Sequence, residues 1–150
     1  MAAENYFGDT MTVAVETEDA SPVTIPVGSA KQVQAIATKE HVRLDSADSI
    51  LREAIAGRAF NVDVIIGVAA FDATFAQEWL GGDGTAASTP TDDNSVATFE
   101  LTATATGDAG TTHTVVIDGI AFPSLPLLDM QEGQWVVHNY QGDGRLATLS

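Results

Sequence analysis

The sequence predicts a mainly β fold, a β-sandwich or partial barrel with one short packed α-helix. Three observations carry this. Residues 95–106 alternate without a break, Ala97, Phe99, Leu101, Ala103 and Ala105 against Val96, Thr98, Glu100, Thr102, Thr104 and Thr106, which is the two-residue period of a half-buried strand. Within the 58–71 strand, residues 62–71 are apolar on both sides of that period except at Asp63, as expected of a central strand. Directly after it, Phe71, Phe75 and Trp79 recur at helical spacing, with Asp72 as a suitable N-cap and Gly81-Gly82 as a stop. The strand thus feeds a short helix over 72–80, and Phe71, Phe75 and Trp79 are the expected helix–sheet core.

The other elements follow in order. Residues 1–10 show little periodicity and read as an N-terminal arm or edge segment. Residues 11–15 and 23–27 alternate briefly on either side of an acidic turn, which suits a hairpin. Residues 31–38 set Val33, Ala35 and Ala37 against Gln32, Gln34, Ile36 and Thr38, a strand with one small apolar face and one mostly polar face, and 41–45 continue extended. Residues 46–57 fit a helical stripe (Ile50, Leu51, Ala54, Ile55) and an extended segment equally well. Residues 81–94 are a Gly, Thr, Ser and Asp-rich surface loop. Residues 95–122 form a long hairpin turned at Gly107–Gly110 and broken by Pro123 and Pro126. Residues 133–140 are a further strand, with Gly142-Asp143-Gly144 expected to turn it into 145–149.

A chain of 150 residues with 45% hydrophobic content is the length of a single domain with a real core, so 1–150 is read as one domain. The unusual quantity is charge: 21 acidic against 6 basic residues, a net charge of −15. Enough Val, Ile, Phe and Trp are present to offset chain entropy, which excludes a disordered acidic chain. Aspartate in excess of glutamate and only two lysines, Lys31 and Lys39, suit a protein working in high salt, where the Debye length shrinks to about 3 Å at 1 M. With no basic patch, tight wrapping of nucleic acid is not expected. There is no cysteine, no run of the ~20 apolar residues a membrane span needs, and no signal-peptide pattern at the start.

Nothing in the sequence supports catalysis, and the chain is not expected to be an enzyme. His41, His113 and His138 are scattered over different strands, outside any metal-binding spacing, and read as ordinary strand histidines. Nucleophile-elbow, phosphate-loop and dinucleotide motifs are missing. The carboxylate groupings Asp92-Asp93, Asp45 with Asp48, and Asp143 with Asp129 lack the calcium-loop pattern and read as solvated acidity, so no metal or cofactor is expected. What remains is architectural: long two-faced hairpins with unpaired edges suit a subunit that completes its sheet by joining neighbours.

The segments Gly28-Ser-Ala-Lys-Gln-Val33, Glu40-His-Val-Arg-Leu44, Asp48-Ser-Ile-Leu-Arg52, the 61–71 strand ending in Phe71-Asp72, and Val116-Ile-Asp-Gly-Ile-Ala-Phe122 resemble, in this order, the tail tube (major tail) proteins of long-tailed viruses. The acidic composition resembles that of a haloarchaeal virus. The resemblance implies a virion protein with six copies per ring, two hairpins per subunit building a continuous inner β-barrel, and rings stacked into the hollow tube through which the genome leaves. Its partners would be itself, other tail proteins at the tube ends, and viral DNA in transit without specific binding. Polar strand faces are then the expected lumen lining, either Gln32, Gln34 and Thr38 or Glu100, Thr102 and Thr104. Two other readings fit the same pattern: a capsid decoration or other minor virion protein, and a halophilic ligand-binding β-sandwich with Trp79 or Trp135 as a stacking platform.

Overall fold

The computed structural model describes residues 11–18, 21–25, 27, 32–45, 52–67, 73–82, 86–90, 96–127 and 138–150, except for the side chains of 43–45 and 52–59. Among them the element order is β1 (Thr12–Thr17), β2 (Thr24–Ile25), β3 (Gln32–Asp45), β4 (Arg52–Gly67), α1 (Ala73–Gly81), β5 (Phe99–Thr106), β6 (Thr112–Ile120), β7 (Asn139–Gly144) and β8 (Leu146–Leu149). The strands form two antiparallel sheets, β2-β1-β5-β6-β8 and β3-β4-β7. The fold is therefore mainly β with one short helix, and the two sheets do not close into a barrel.

Alternation decides which face of each sheet is dry. Val15, Leu101 and Ile117 of the larger sheet and Val62, Val64 and Ile66 of the smaller one are all at most 1% exposed and belong to one core. β4 is central within its sheet, and its second face is only partly covered, with Ile65 half-buried and Gly67 buried. Asn61 and Asp63 are exposed, and the Asn61 side-chain amide donates to Asp63 Oδ1 at 2.9 Å. The two-sided burial expected of 62–71 holds only in part over the described residues, because the second face is open to solvent around Asp63, while 68–71 lie outside them. Residues 52–57, left open between helix and strand, are extended and pair with β3, whereas 46–51 lie outside the described residues.

α1 covers one end of the core. Phe75 and Glu78 are buried and Trp79 is partly buried, the i, i+3, i+4 stripe of a helix with one inward face. The Phe75 ring centre lies 5.0 Å from that of Phe99, 5.4 Å from Phe122 and 5.8 Å from Tyr140, the latter two edge-on. Trp79 Nε1 donates to the Phe122 carbonyl at 2.8 Å, tying the helix to the segment after β6. The helix runs one residue later than the spacing predicts, and Gly82 at φ 62° ends it in the left-handed conformation. Phe71, the third expected core aromatic, lies outside the described residues.

The C-terminal strands depart most from expectation. Gly142-Asp143-Gly144 is not a hairpin turn: it is the end of β7, paired with Val62–Val64 of β4, and neither glycine has positive φ. The chain bends at Arg145 and continues as β8 in the other sheet, beside β6. An Ala121–Asp143 bridge, with reciprocal N–H···O bonds of 2.9 and 3.0 Å, stitches the sheets together at this corner. The glycines serve close approach. A Cβ on Gly142 would sit 2.8 Å from Ile120 Cγ2, and one on Gly144 would sit 2.6 Å from Ile117 Cγ2. Of the strand expected at 133–140 only 138–140 are described, with β7 starting at Asn139, and Trp135 lies outside the described residues.

Two stability changes follow. Gly144→Ala forces a methyl into Ile117 and is expected to cost about 1–3 kcal/mol, read as a lower midpoint with unchanged slope in urea unfolding. Phe75→Ala removes the shared contact of three aromatic rings and is expected to cost about 3–5 kcal/mol in the same assay.

Candidate assembly interface

The long β3–β4 ribbon is the feature that stands apart from the core. Its pairing runs from Gln32↔Gly67 to Asp45↔Arg52, with register shifts at Glu40/His41 and Leu44/Asp45. β7 supports β4 only over Val62–Gly67. Beyond that, among the described residues, the distal part of the ribbon is two strands wide and open along both edges, and β3 is open along its whole outer edge. Large apolar side chains sit exposed on it: Ile36, Val42 and Phe60. A two-stranded ribbon is marginal on its own, and an open edge is a template for another strand.

The two expected lumen-facing sets fall on different surfaces. Gln32, Gln34 and Thr38 are exposed on the outer face of β3, opposite Val33, Ala35 and Ala37. Glu100, Thr102 and Thr104 are half-buried on the outer face of β5, and Thr104 lies within 3.4 Å of the Thr114 hydroxyl across the pair. The core lies between the two sets, so one subunit does not bring them to a common surface. Between the sheets, at the end away from α1, small residues leave an apolar wedge of about 510 Å³ lined by Val33, Ala35, Ala37, Ala103, Val115 and Leu149 among others.

A carboxylate cluster was not legible in the sequence. The β5–β6 register jumps from Phe99↔Ile120 to Leu101↔Ile117, so Asp118 and Gly119 bulge opposite Glu100. Gly119 adopts φ 66°, which a residue with a Cβ takes up only with strain, and its freed N–H donates to Glu18 Oε1 at 2.8 Å. Glu18, Glu100 and Asp118 thereby converge, with one oxygen of each within 4.8 Å of the others. Such an oxygen set has the chemistry of a hard-cation ligand group, although exposed carboxylates also gather without one. The Asp-Gly pair inside a strand pattern was the available signal. Hydrogen bonding to Asp118, then burial, then repulsion from Asp118, Glu16 and Glu18 raise the Glu100 pKa above its ordinary value.

The remaining expected sites stay apart from this cluster. His41 and His113 are exposed on β3 and β6, and His138 packs near Tyr140 at 6.2 Å between ring centres. Asp143 is exposed on β7, whereas Asp48, Asp92, Asp93 and Asp129 lie outside the described residues. No described helix is long and apolar enough to cross a membrane.

The raised pKa sets the sign of a pH dependence. The folded chain holds a proton on Glu100 that the unfolded chain has already released, so stability declines as pH climbs from the ordinary glutamate range through the raised value. Glu100→Gln is expected to raise the unfolding midpoint at pH 7 and to lose that advantage at about pH 4, where the native carboxyl is protonated as well. Thermal melts of both chains at the two pH values check this.

No protein-family profile and no curated protein matches the chain. The fold is similar to that of a chain in the cryo-EM structure of the anti-feeding prophage baseplate, with a TM-score of 0.43 and 9% sequence identity over 100% of this chain and 95% of that one. A likeness at that level carries no argument about role.

Proposed function

We propose that this chain is a structural virion subunit without catalytic activity, which assembles with copies of itself into six-membered rings that stack as the hollow tail tube of a long-tailed virus. The observation that carries the reading is the half-supported β3–β4 ribbon, open on both distal edges among the described residues and bearing exposed Ile36, Val42 and Phe60. Such a ribbon gains main-chain hydrogen bonds and apolar burial when strands of neighbouring copies continue the sheet. Closure in a ring removes the edges altogether, which a sheet within one chain of this topology does not do. The resemblance of the 28–72 and 116–122 segments to tail tube proteins supports the same reading. So does the charge: a polar or acidic lining repels DNA phosphates and lets a genome pass without adhesion. Other tail proteins would meet the tube at its ends.

The test is electron microscopy and light scattering of the purified chain across a salt series. Stacked hollow rings that dissociate on dialysis to low salt are expected, because each subunit carries −15 and unscreened repulsion opposes stacking. Monomers at every salt concentration overturn the proposal, and small closed oligomers without a lumen indicate a decoration protein instead.

A further inference from the structure

The apolar wedge between the sheets is left open by small side chains. Ala35 and Ala37 are exposed even though they share the inward face of β3 with Val33, because Ala103, Ala105 and Ala147 across the gap are equally small. Met11 and the 77% exposed Leu149 rim it. The inward face of the ribbon continues past that rim. Lys39 pairs with Phe60 as Ala37 pairs with Val62, so Phe60 extends the row of Ile66, Val64 and Val62 and ends it 38% exposed. Among the described lining residues only Thr104 and His113 are polar, so the space suits an uncharged, apolar occupant.

We propose that this wedge is the docking site of the chain's own N-terminal segment, with the Tyr6-Phe7 pair closing the opening between Met11 and Phe60. β1 runs antiparallel to β5 with Thr12 opposite Thr104, so the ten residues before Met11 leave the larger sheet at the end where the wedge opens. Those residues lie outside the described ones, and their sequence is Met1-Ala-Ala-Glu-Asn-Tyr-Phe-Gly-Asp-Thr10, whose two aromatic side chains are adjacent. Phe7 is four residues from Met11, a tether of at most roughly 14 Å, and Gly8 permits the reversal of direction that docking requires. Such a tether sets a local concentration in the millimolar range, which a second copy in dilute solution does not match. Each aromatic ring brings roughly 150–250 Å² of surface to an opening rimmed by alanines, and filling an apolar gap is favourable. The inference is independent of tube assembly: a chain that forms rings and one that stays monomeric would each carry it.

The chain holds no cysteine, so cysteine pairs can be introduced without background. Asn5→Cys, which keeps Tyr6 and Phe7, is combined in turn with Ala37→Cys, Ala105→Cys and Leu149→Cys, and each full-length variant is oxidised at low protein concentration. A disulfide within one chain, seen as faster migration on a non-reducing gel, is expected for at least one of these pairs, since bonding requires the two Cα atoms to come within about 7 Å. In a separate chain, Tyr6→Ala with Phe7→Ala is expected to raise the fluorescence of the uncharged dye Nile red severalfold by uncovering the wedge. Adding Ala103→Leu to that variant, which fills the wedge from within, is expected to bring dye uptake back down. Circular dichroism confirms that each variant is folded, and the cysteine pairs decide the matter alone if the alanine variant is not. Disulfides that link two chains, or that form at none of the three positions, overturn the proposal. So does dye uptake that ignores the loss of Tyr6 and Phe7, or that stays high with Ala103→Leu in place.

Discussion

The approach of β7 to β6 is the contact on which the rest of the arrangement depends. Where Gly142 and Gly144 pass Ile120 and Ile117, no side-chain atom intervenes, and the backbone of one sheet lies against the buried side chains of the other. That proximity lets Asp143 and Ala121 exchange hydrogen bonds and lets the chain cross from β4's sheet to β6's within a single residue, Arg145. Two sheets that would otherwise meet only through side chains are joined along the backbone at one corner. The joint also leaves the opposite side open, between β2 and β3, where no described strand spans the gap.

Packing is graded away from that corner. Next to α1 the core is aromatic and dense, with Phe75 against Phe99, Phe122 and Tyr140, and Phe99 against Phe122. At the far end Ala35, Ala37 and Ala103 face one another and leave a wedge. The ribbon extends from the supported part of the smaller sheet with progressively fewer partners, from three strands to two. Among the described residues one end is thus densely packed while the other keeps open strand edges, and open edges are templates for further strand pairing.

Much of the architecture was legible because strand periodicity is a local property. The alternation at 95–106, the hairpin to 122, the β1–β2 pair and the helix with Phe75 and Trp79 inward all follow from which residues lie two or three to four apart. The structure departs from local pattern where a residue's role depends on a distant segment. Asp63, the interruption in an otherwise two-sided apolar strand, marks a place where that strand is wet on one side. Gly142 and Gly144 carry the pattern of turn residues but serve close approach, because a glycine needed for positive φ and one needed for close approach look alike in a sequence. The Glu18–Glu100–Asp118 convergence joins three strands through a bulge, which no spacing rule within one strand reveals.

The amino-acid sequence by itself determined the class of fold, most of the strands, the helix, the inward face of β5 and the strongly acidic character, since these rest on local period and composition. Only the tertiary structure decided which sheet each strand joins, that the two polar faces lie on opposite sides of the core, and that β3 and β4 outrun their support. The reason is that strand pairing is non-local. Any alternating segment can pair with any other of matching face, and the choice among them is made by close approach at Gly142 and Gly144, by the Gly119 bulge and by the single helix that fills one end.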